Sequence, residues 1–304
     1  MPVRRMLLSG ALVVSLSGCG VAASPSDVST QATSPAPSSG TVVPTSATPI
    51  PAKAALTIPE ARQAMQKWVG RYNATLKKHE WWRSNARLDA LFIEGALHEG
   101  VLERSQWGSE RKTRHKPINP ISTPTVFVPR PERQPSSGDW FIAQATYQDA
   151  KGRARPHVLA FFRSPGQPFR LAVATPIHWG ERMPEPLLDA DGHVTDMDDS
   201  MAGAVAEEYE NFWNGERKKE GDSGYRLAAN SYSRKAFPAV SKGAYVGFAG
   251  TGSIFGFRTA DGGSFFLFAL LNDDKKAINN VLSEALLVPK DSNTIRELGA
   301  NWFS

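Results

Sequence analysis

Residues 57–76 read TIPEARQAMQKWVGRYNATL, and the reading of this stretch decides the fold. Thr57 and Glu60 have the S/T-x-x-E spacing in which a helix N-terminus is closed reciprocally, and Pro59 is tolerated in a first turn. Ala61, Ala64, Met65, Trp68, Tyr72 and Leu76 then recur at three and four, the period of one apolar helix face. Shifted by 141 positions, Ala61, Ala64, Trp68, Tyr72 and Asn73 fall on Ala202, Val205, Tyr209, Trp213 and Asn214, so size and polarity are kept along a second such face.

Outward from the first helix, a second helical pattern over Ser84 to Glu103 puts Leu88, Leu91, Phe92, Gly95 and Leu102 on one side. Strand-like runs follow at Thr125–Val128, Trp140–Gln148, His157–Arg163 and Phe169–Ile177, with turn signals at 149–152 and at Pro165-Gly166. Helices first and an antiparallel meander after them predict an α+β layer. In the second half, the turn of residues 257–262 lies over that of residues 147–152 at an offset of 110. The two offsets differ by 31, the length of an insertion placed at about 104–137. The expectation is two tandem α+β units of a repeated kind, each with N-terminal helix or helices on a curved antiparallel sheet. They span residues 55–186 and 200–304, joined by an acidic linker at 187–199.

Ahead of them, residues 1–18 have a charged start (Arg4, Arg5) and an apolar run from Met6 to Leu16, the pattern of a secretory signal and too short to span a bilayer. Leu16-Ser17-Gly18-Cys19 resembles the bacterial lipobox, whose cysteine is acylated and becomes the first residue of the mature chain. That resemblance implies lipidation at Cys19 and a membrane partner through the anchor, with the domain facing outside. A plain signal peptide is the alternative, and export by the general or the twin-arginine route is left open. Cys19 is the sole cysteine, so no disulfide is available to it within the chain. From Gly20 to Lys53, 24 of 34 residues are Ser, Thr, Pro or Ala. Such a segment cannot bury a core, and residues 19–54 read as a lipidated Cys and a tether with a reach on the order of 30 Å. Without residues 1–18 the chain has 33 basic against 30 acidic residues, a formal +3, which argues against nucleic acid as a partner.

Leu56-Thr-Ile-Pro-Glu-Ala-Arg62, Arg71-Tyr72-Asn73 and Leu88 through Glu94-Gly95, behind the lipobox and tether, resemble a family of uncharacterised actinobacterial secreted lipoproteins. In order of elements, each unit is similar to nuclear-transport-factor-2-like or cystatin-like domains, whose curved sheet wraps a long helix. Neither resemblance brings catalytic residues, and fold analogy does not give function.

The chemistry-bearing candidates are few. In residues 187–198, Asp189, Asp191, Gly192 and Asp198 take positions three, five, six and twelve of a calcium loop, but Leu187 stands at position one and the twelfth ligand is Asp. The competing reading is a linker turn followed by a helix cap. Glu94 and His98, four apart, could form an acid/base pair, or His98 could fill a core edge. The other histidines are scattered, so no metal or cofactor is expected. Ser109-Glu-Arg-Lys112 satisfies S-x-x-K, but K-T-G is absent and no S-D-N is suitably placed. What remains is a surface: Arg111, Lys112, Arg114 and Lys116 with Trp107, in the Pro-rich insertion, form a candidate binding loop for anionic headgroups or wall polymers. Trp81-Trp82 could close a core or line a pocket. The sequence therefore favours a non-catalytic binding module of the cell envelope, its partner an envelope protein, a glycan or a small hydrophobic ligand. The alternative is a hydrolase or transferase acting on envelope material through Glu94 and His98.

Overall fold

Thr57 and Glu60 close the first helix as their spacing predicts: Glu60 N donates to Thr57 Oγ1 at 3.3 Å, and Thr57 N donates to Glu60 Oε2 at 2.9 Å. This cap starts α1 (Ile58–Leu76), whose buried face is Ala61, Met65, Trp68 and Tyr72. The computed structural model describes residues 55–107, 116–148, 152–215, 219–240, 247–248, 250–272 and 280–303. The signal-like segment, Cys19 and the tether lie outside the described residues, among which no helix is long and apolar enough to cross a membrane.

The pattern over residues 84–103 becomes two helices, α2 (Asn85–Asp89) and α3 (Glu94–Trp107). Between them the backbone turns outward to bond elsewhere. Ile93 N donates to Leu171 O and Leu171 N to Leu91 O, both at 2.9 Å, while the buried Trp68 indole also donates to Leu91 O. A continuous helix would have consumed those groups internally. The helix restarts at Glu94, which adopts a left-handed φ of 51°.

The first sheet is a four-stranded antiparallel meander of β1 (Thr125–Phe127), β2 (Asp139–Gln148), β3 (Ala154–Arg163) and β4 (Arg170–Pro176), in sequence order. After it come α4 (Asp199–Trp213), β5 (Arg226–Leu227) and α5 (Tyr232–Val240). The second sheet is completed by β6 (Gly250–Thr251), β7 (Phe255–Arg258), β8 (Ser264–Leu271), β9 (Val281–Val288) and β10 (Thr294–Phe303). Its order is β5-β10-β9-β8, with β6 and β7 both pairing with β8 and β5 parallel to β10. The protein is thus an α+β structure of N-terminal helices and antiparallel sheets.

Both sheets are buried on both faces, which explains near-continuous apolar runs such as SFFLFALL and VLSEALLV. Phe141, Ala143, Leu159 and Phe161 face α1. Their neighbours Ile142, Val158 and Ala160 turn to the opposite side and pack with Phe255, Phe257, Phe265, Leu267 and Ala285 of the second sheet. The next alternation, Phe266, Phe268, Leu282 and Leu286, faces Val205, Tyr209 and Trp213 of α4. The order of layers is α1, first sheet, second sheet, α4, with the middle core shared by the two sheets. Trp68 stacks on Tyr72 with ring centroids 5.1 Å apart, and Tyr209 and Trp213 are buried on their own sheet as that pair is on the first.

Strand order sets β2, β3 and β4 against β8, β9 and β10. Their first residues, Asp139 and Ser264, Ala154 and Val281, Arg170 and Thr294, are offset by 125, 127 and 124 positions. The offset of 110 read from the hairpin turns therefore joins hairpins one strand out of step, because a turn of similar composition closes each of them.

Within segment 104–137, β1 forms an edge of the first sheet. Segment 187–199 is bonded on both sides: Val194 N donates to Val128 O, Leu187 N to Arg258 O and Arg258 N to Thr195 O. It stitches the two sheets along β7, and the chain from Lys53 to Ser304 is one compact unit.

Candidate functional site

Strand β10, TIRELGANWF, carries an irregularity between Glu297 and Gly299. The bulge changes which residues face α4: Ile295 before it, Ala300 and Trp302 after it, with Leu298 turned into the middle core. Gly299 allows residues 176–177 to cross the strand closely, because a Cβ there would lie 2.4 Å from Pro176 O and 3.2 Å from Ile177 Cα. His178 N then donates to Leu298 O at 2.8 Å, which sets His178 beside Glu297.

Glu297 is buried and its oxygens are taken by protein donors. Oε2 accepts from the Tyr209 hydroxyl at 3.1 Å and from Ser233 N at 2.9 Å. Oε1 lies 2.9 Å from His178 Nε2, a contact that needs a proton between them. One strand away, neither oxygen of the wholly buried Glu284 meets a hydrogen-bond donor in bonding geometry among the described residues, the Ser233 hydroxyl being nearby but not in such geometry. Burial above all, and then the neighbouring Glu297, push its pKa well above the usual carboxylate range; the Ser233 hydroxyl opposes them. Burial likewise raises the Tyr209 phenol, with Glu284 and Glu297 adding to the effect. Glu284, its pKa raised, thus sits beside a hydrogen-bonded carboxyl group in an otherwise apolar layer.

His178 opens onto a cleft of about 510 Å³, walled by Trp179, Tyr232, Lys235, Thr294 and Arg296, with Glu297 buried beneath it. Trp179 and Tyr232 are 56% and 55% exposed, unusual for large aromatic side chains. The Tyr232 ring lies 4.7 Å from the His178 ring, and the Arg153 guanidinium sits 4.8 Å from the centroid of Trp179. Arg296 pairs with Glu181 at 2.6 Å. Apolar ring faces beside fixed polar groups suit a ligand rich in hydroxyl or amide groups.

The residues singled out from sequence lie elsewhere. Glu94 accepts from Ser253 N at 2.9 Å and from Ser253 Oγ at 2.7 Å, so it ties α3 to the turn before β7. His98 is half-buried one turn on, and neither residue lines the cleft. The carboxylates of segment 187–199 serve the fold. Asp189 accepts from the backbone of Asp191 and His193 and pairs with Arg130 at 2.6 Å, Asp196 pairs with Arg133, and Asp198 caps α4. Of the basic loop, Arg111, Lys112 and Arg114 lie outside the described residues, as does the Trp107 side chain. Lys116 is exposed at a separate depression of about 420 Å³ with Lys77 and Trp81. Trp81 and Trp82 are buried and close the first core. Reasoning from sequence missed His178, Trp179, Tyr232, Glu284 and Glu297. A readable signal existed for Glu284, a charged residue at the centre of an apolar eight-residue strand.

No curated protein and no solved structure matches the chain. A model of a family of domains of unknown function, DUF8094, matches residues 52–295, most of the 304-residue sequence, and the chain belongs to that family.

Proposed function

We propose that the chain is an actinobacterial secreted lipoprotein, anchored to the outer side of the cell membrane through Cys19, whose folded part binds a hydroxyl-rich glycan of the envelope without acting on it. The anchor rests on the lipobox-like Leu16–Cys19 and the Ser/Thr/Pro tether that follows. The observation that carries the binding reading is the pair of aromatic faces, Trp179 and Tyr232, left more than half exposed at a cleft with a polar floor. Sugar rings present C–H faces to aromatic rings and hydroxyls to groups such as Thr294, Asn230 and Arg296. Against a hydrolase stands the state of the carboxyl groups. Glu297 spends both oxygens on internal donors, and Glu284 is sealed beneath α4 and α5, whereas a general acid or base has to reach the reacting bond.

The test is retention of the full chain on insoluble cell-wall glycan. Trp179→Ala with Tyr232→Ala should reduce retention about tenfold, the equivalent of about 1.4 kcal/mol, and both side chains are exposed enough for the fold to survive. Equal retention of parent and double variant would overturn the cleft. Release of reducing ends by the parent, lost in Glu297→Gln, would replace binding with hydrolysis.

A further inference from the structure

A second groove, of about 560 Å³, runs between α1 and the β3–β4 turn. Its volume is in the range of about 300–1,000 Å³ typical of small-molecule sites. Its floor is carbon: Ala64, Pro168, the buried Phe169 ring, and the open face of Gly70, where an added Cβ would meet nothing within 4 Å. The aliphatic stems of Lys67, Arg71 and Arg163 extend this surface.

The charges at the groove are unequal. Arg163 is neutralised by the buried Asp139 at 2.8 Å and lies over Phe169, 4.5 Å from the ring centroid. Glu60, the acidic residue of the lining, turns to Thr57 to close the cap. Lys67 and Arg71 have only neutral partners among the described residues. Lys67 Nζ donates to Gln63 Oε1 at 3.2 Å, and Arg71 Nη2 donates to Phe169 O at 2.6 Å. Arg71 Nε is buried with no acceptor among the described residues, which also give this half-buried guanidinium beside an apolar floor no counter-ion. Such an arrangement costs desolvation that an anion would offset.

From this geometry we infer that the groove binds a small anionic amphiphile, with its phosphate or carboxylate at Lys67 and Arg71 and its hydrocarbon part along Ala64, Gly70, Pro168 and Phe169. The site is independent of the glycan cleft and shares no residue with it.

Gly70 offers a direct test. It lies on an exposed face of α1 with nothing within 4 Å of an added Cβ, so Gly70→Leu sets its side chain over the groove without a clash at Cβ and favours the helix. The full chain carrying Cys19→Ala, which needs no detergent, is titrated calorimetrically with dodecyl phosphate below its micelle concentration. An octaethylene glycol dodecyl ether, with the same tail and a neutral head that is not a sugar, and inorganic phosphate, the head alone, are titrated in parallel. Dodecyl phosphate should bind with one-to-one stoichiometry, and the two controls about tenfold more weakly or worse, the loss of one partly desolvated charge contact or of the apolar contact. Gly70→Leu should abolish binding with its unfolding midpoint at or above the parent's. The exposed Lys67→Glu should weaken it about tenfold by reversing one charge, and Trp179→Ala should leave it unchanged. No binding of dodecyl phosphate, equal binding of the neutral dodecyl ether, or undiminished binding in Gly70→Leu would overturn the inference. Should Gly70→Leu unfold, full affinity in Lys67→Glu would overturn it alone.

Discussion

Replacing Glu284 with Gln keeps the shape of a side chain that is wholly buried on β9 and removes its ability to ionise. In the unfolded chain this carboxyl titrates near its ordinary value of 4.5, and in the folded chain well above it, with burial the largest cause and Glu297 the second. Above about pH 4.5 the unfolded state has released a proton that the folded state retains, so stability falls as pH rises, by about 1.4 kcal/mol per pH unit, until the folded group ionises too. Gln carries no such dependence. The advantage of Glu284→Gln over the parent should therefore widen as the pH rises above about 4.5, by up to about 1.4 kcal/mol per pH unit, a sizeable part of a typical domain stability of about 5–15 kcal/mol. Urea unfolding of both proteins at each pH, at constant ionic strength, gives the difference directly. Titration of other groups is common to both proteins and largely cancels. A stability difference that stays constant from pH 4.5 upward would mean that Glu284 titrates alike in the folded and unfolded chain, against the raised pKa that its burial beside Glu297 implies.

Three further outcomes are expected. Trp68→Ala removes a fully buried indole stacked on Tyr72 and should cost about 3–5 kcal/mol by chemical denaturation; a loss below about 1 kcal/mol would mean that the first core does not depend on it. Gly299→Ala drives a methyl against Pro176 O, should cost about 1–3 kcal/mol, and should weaken glycan retention by displacing His178 and Trp179; unchanged retention would uncouple the bulge from the cleft. Cys19→Ala should leave the chain in the medium while the parent fractionates with membranes, and identical partitioning of the two would remove the anchor.

The helices and the meander were legible because their signals are local. Thr57 and Glu60 cap over three residues, and Trp68 and Tyr72 mark a face over one turn, so their burial follows from spacing alone. The break at residues 90–93 was not legible, since it is set by Leu171, far along the chain. The cleft is harder still. His178 and Glu297 are 119 positions apart and meet only because Gly299 admits the crossing strand, while Tyr232 arrives on a separate helix. Glu94 and His98 drew attention because four-residue spacing is visible in a linear text. The contact that occupies Glu94, with Ser253, is 159 positions away.

The core between the sheets also limits how the molecule can be made. Ile142, Val158 and Ala160 pack mainly with residues of the second sheet that begin at Phe255, so when β4 is complete at Pro176 most of the cover of that face of the first sheet is still missing. A fragment ending near residue 199 would display that apolar surface to solvent and would tend to self-associate rather than serve as an isolated half. During synthesis the same surface stays largely uncovered until β8 and β9 have emerged, so a chaperone bound to the nascent chain would hold it there, and a recombinant fragment has to include β8, β9 and β10 to cover it.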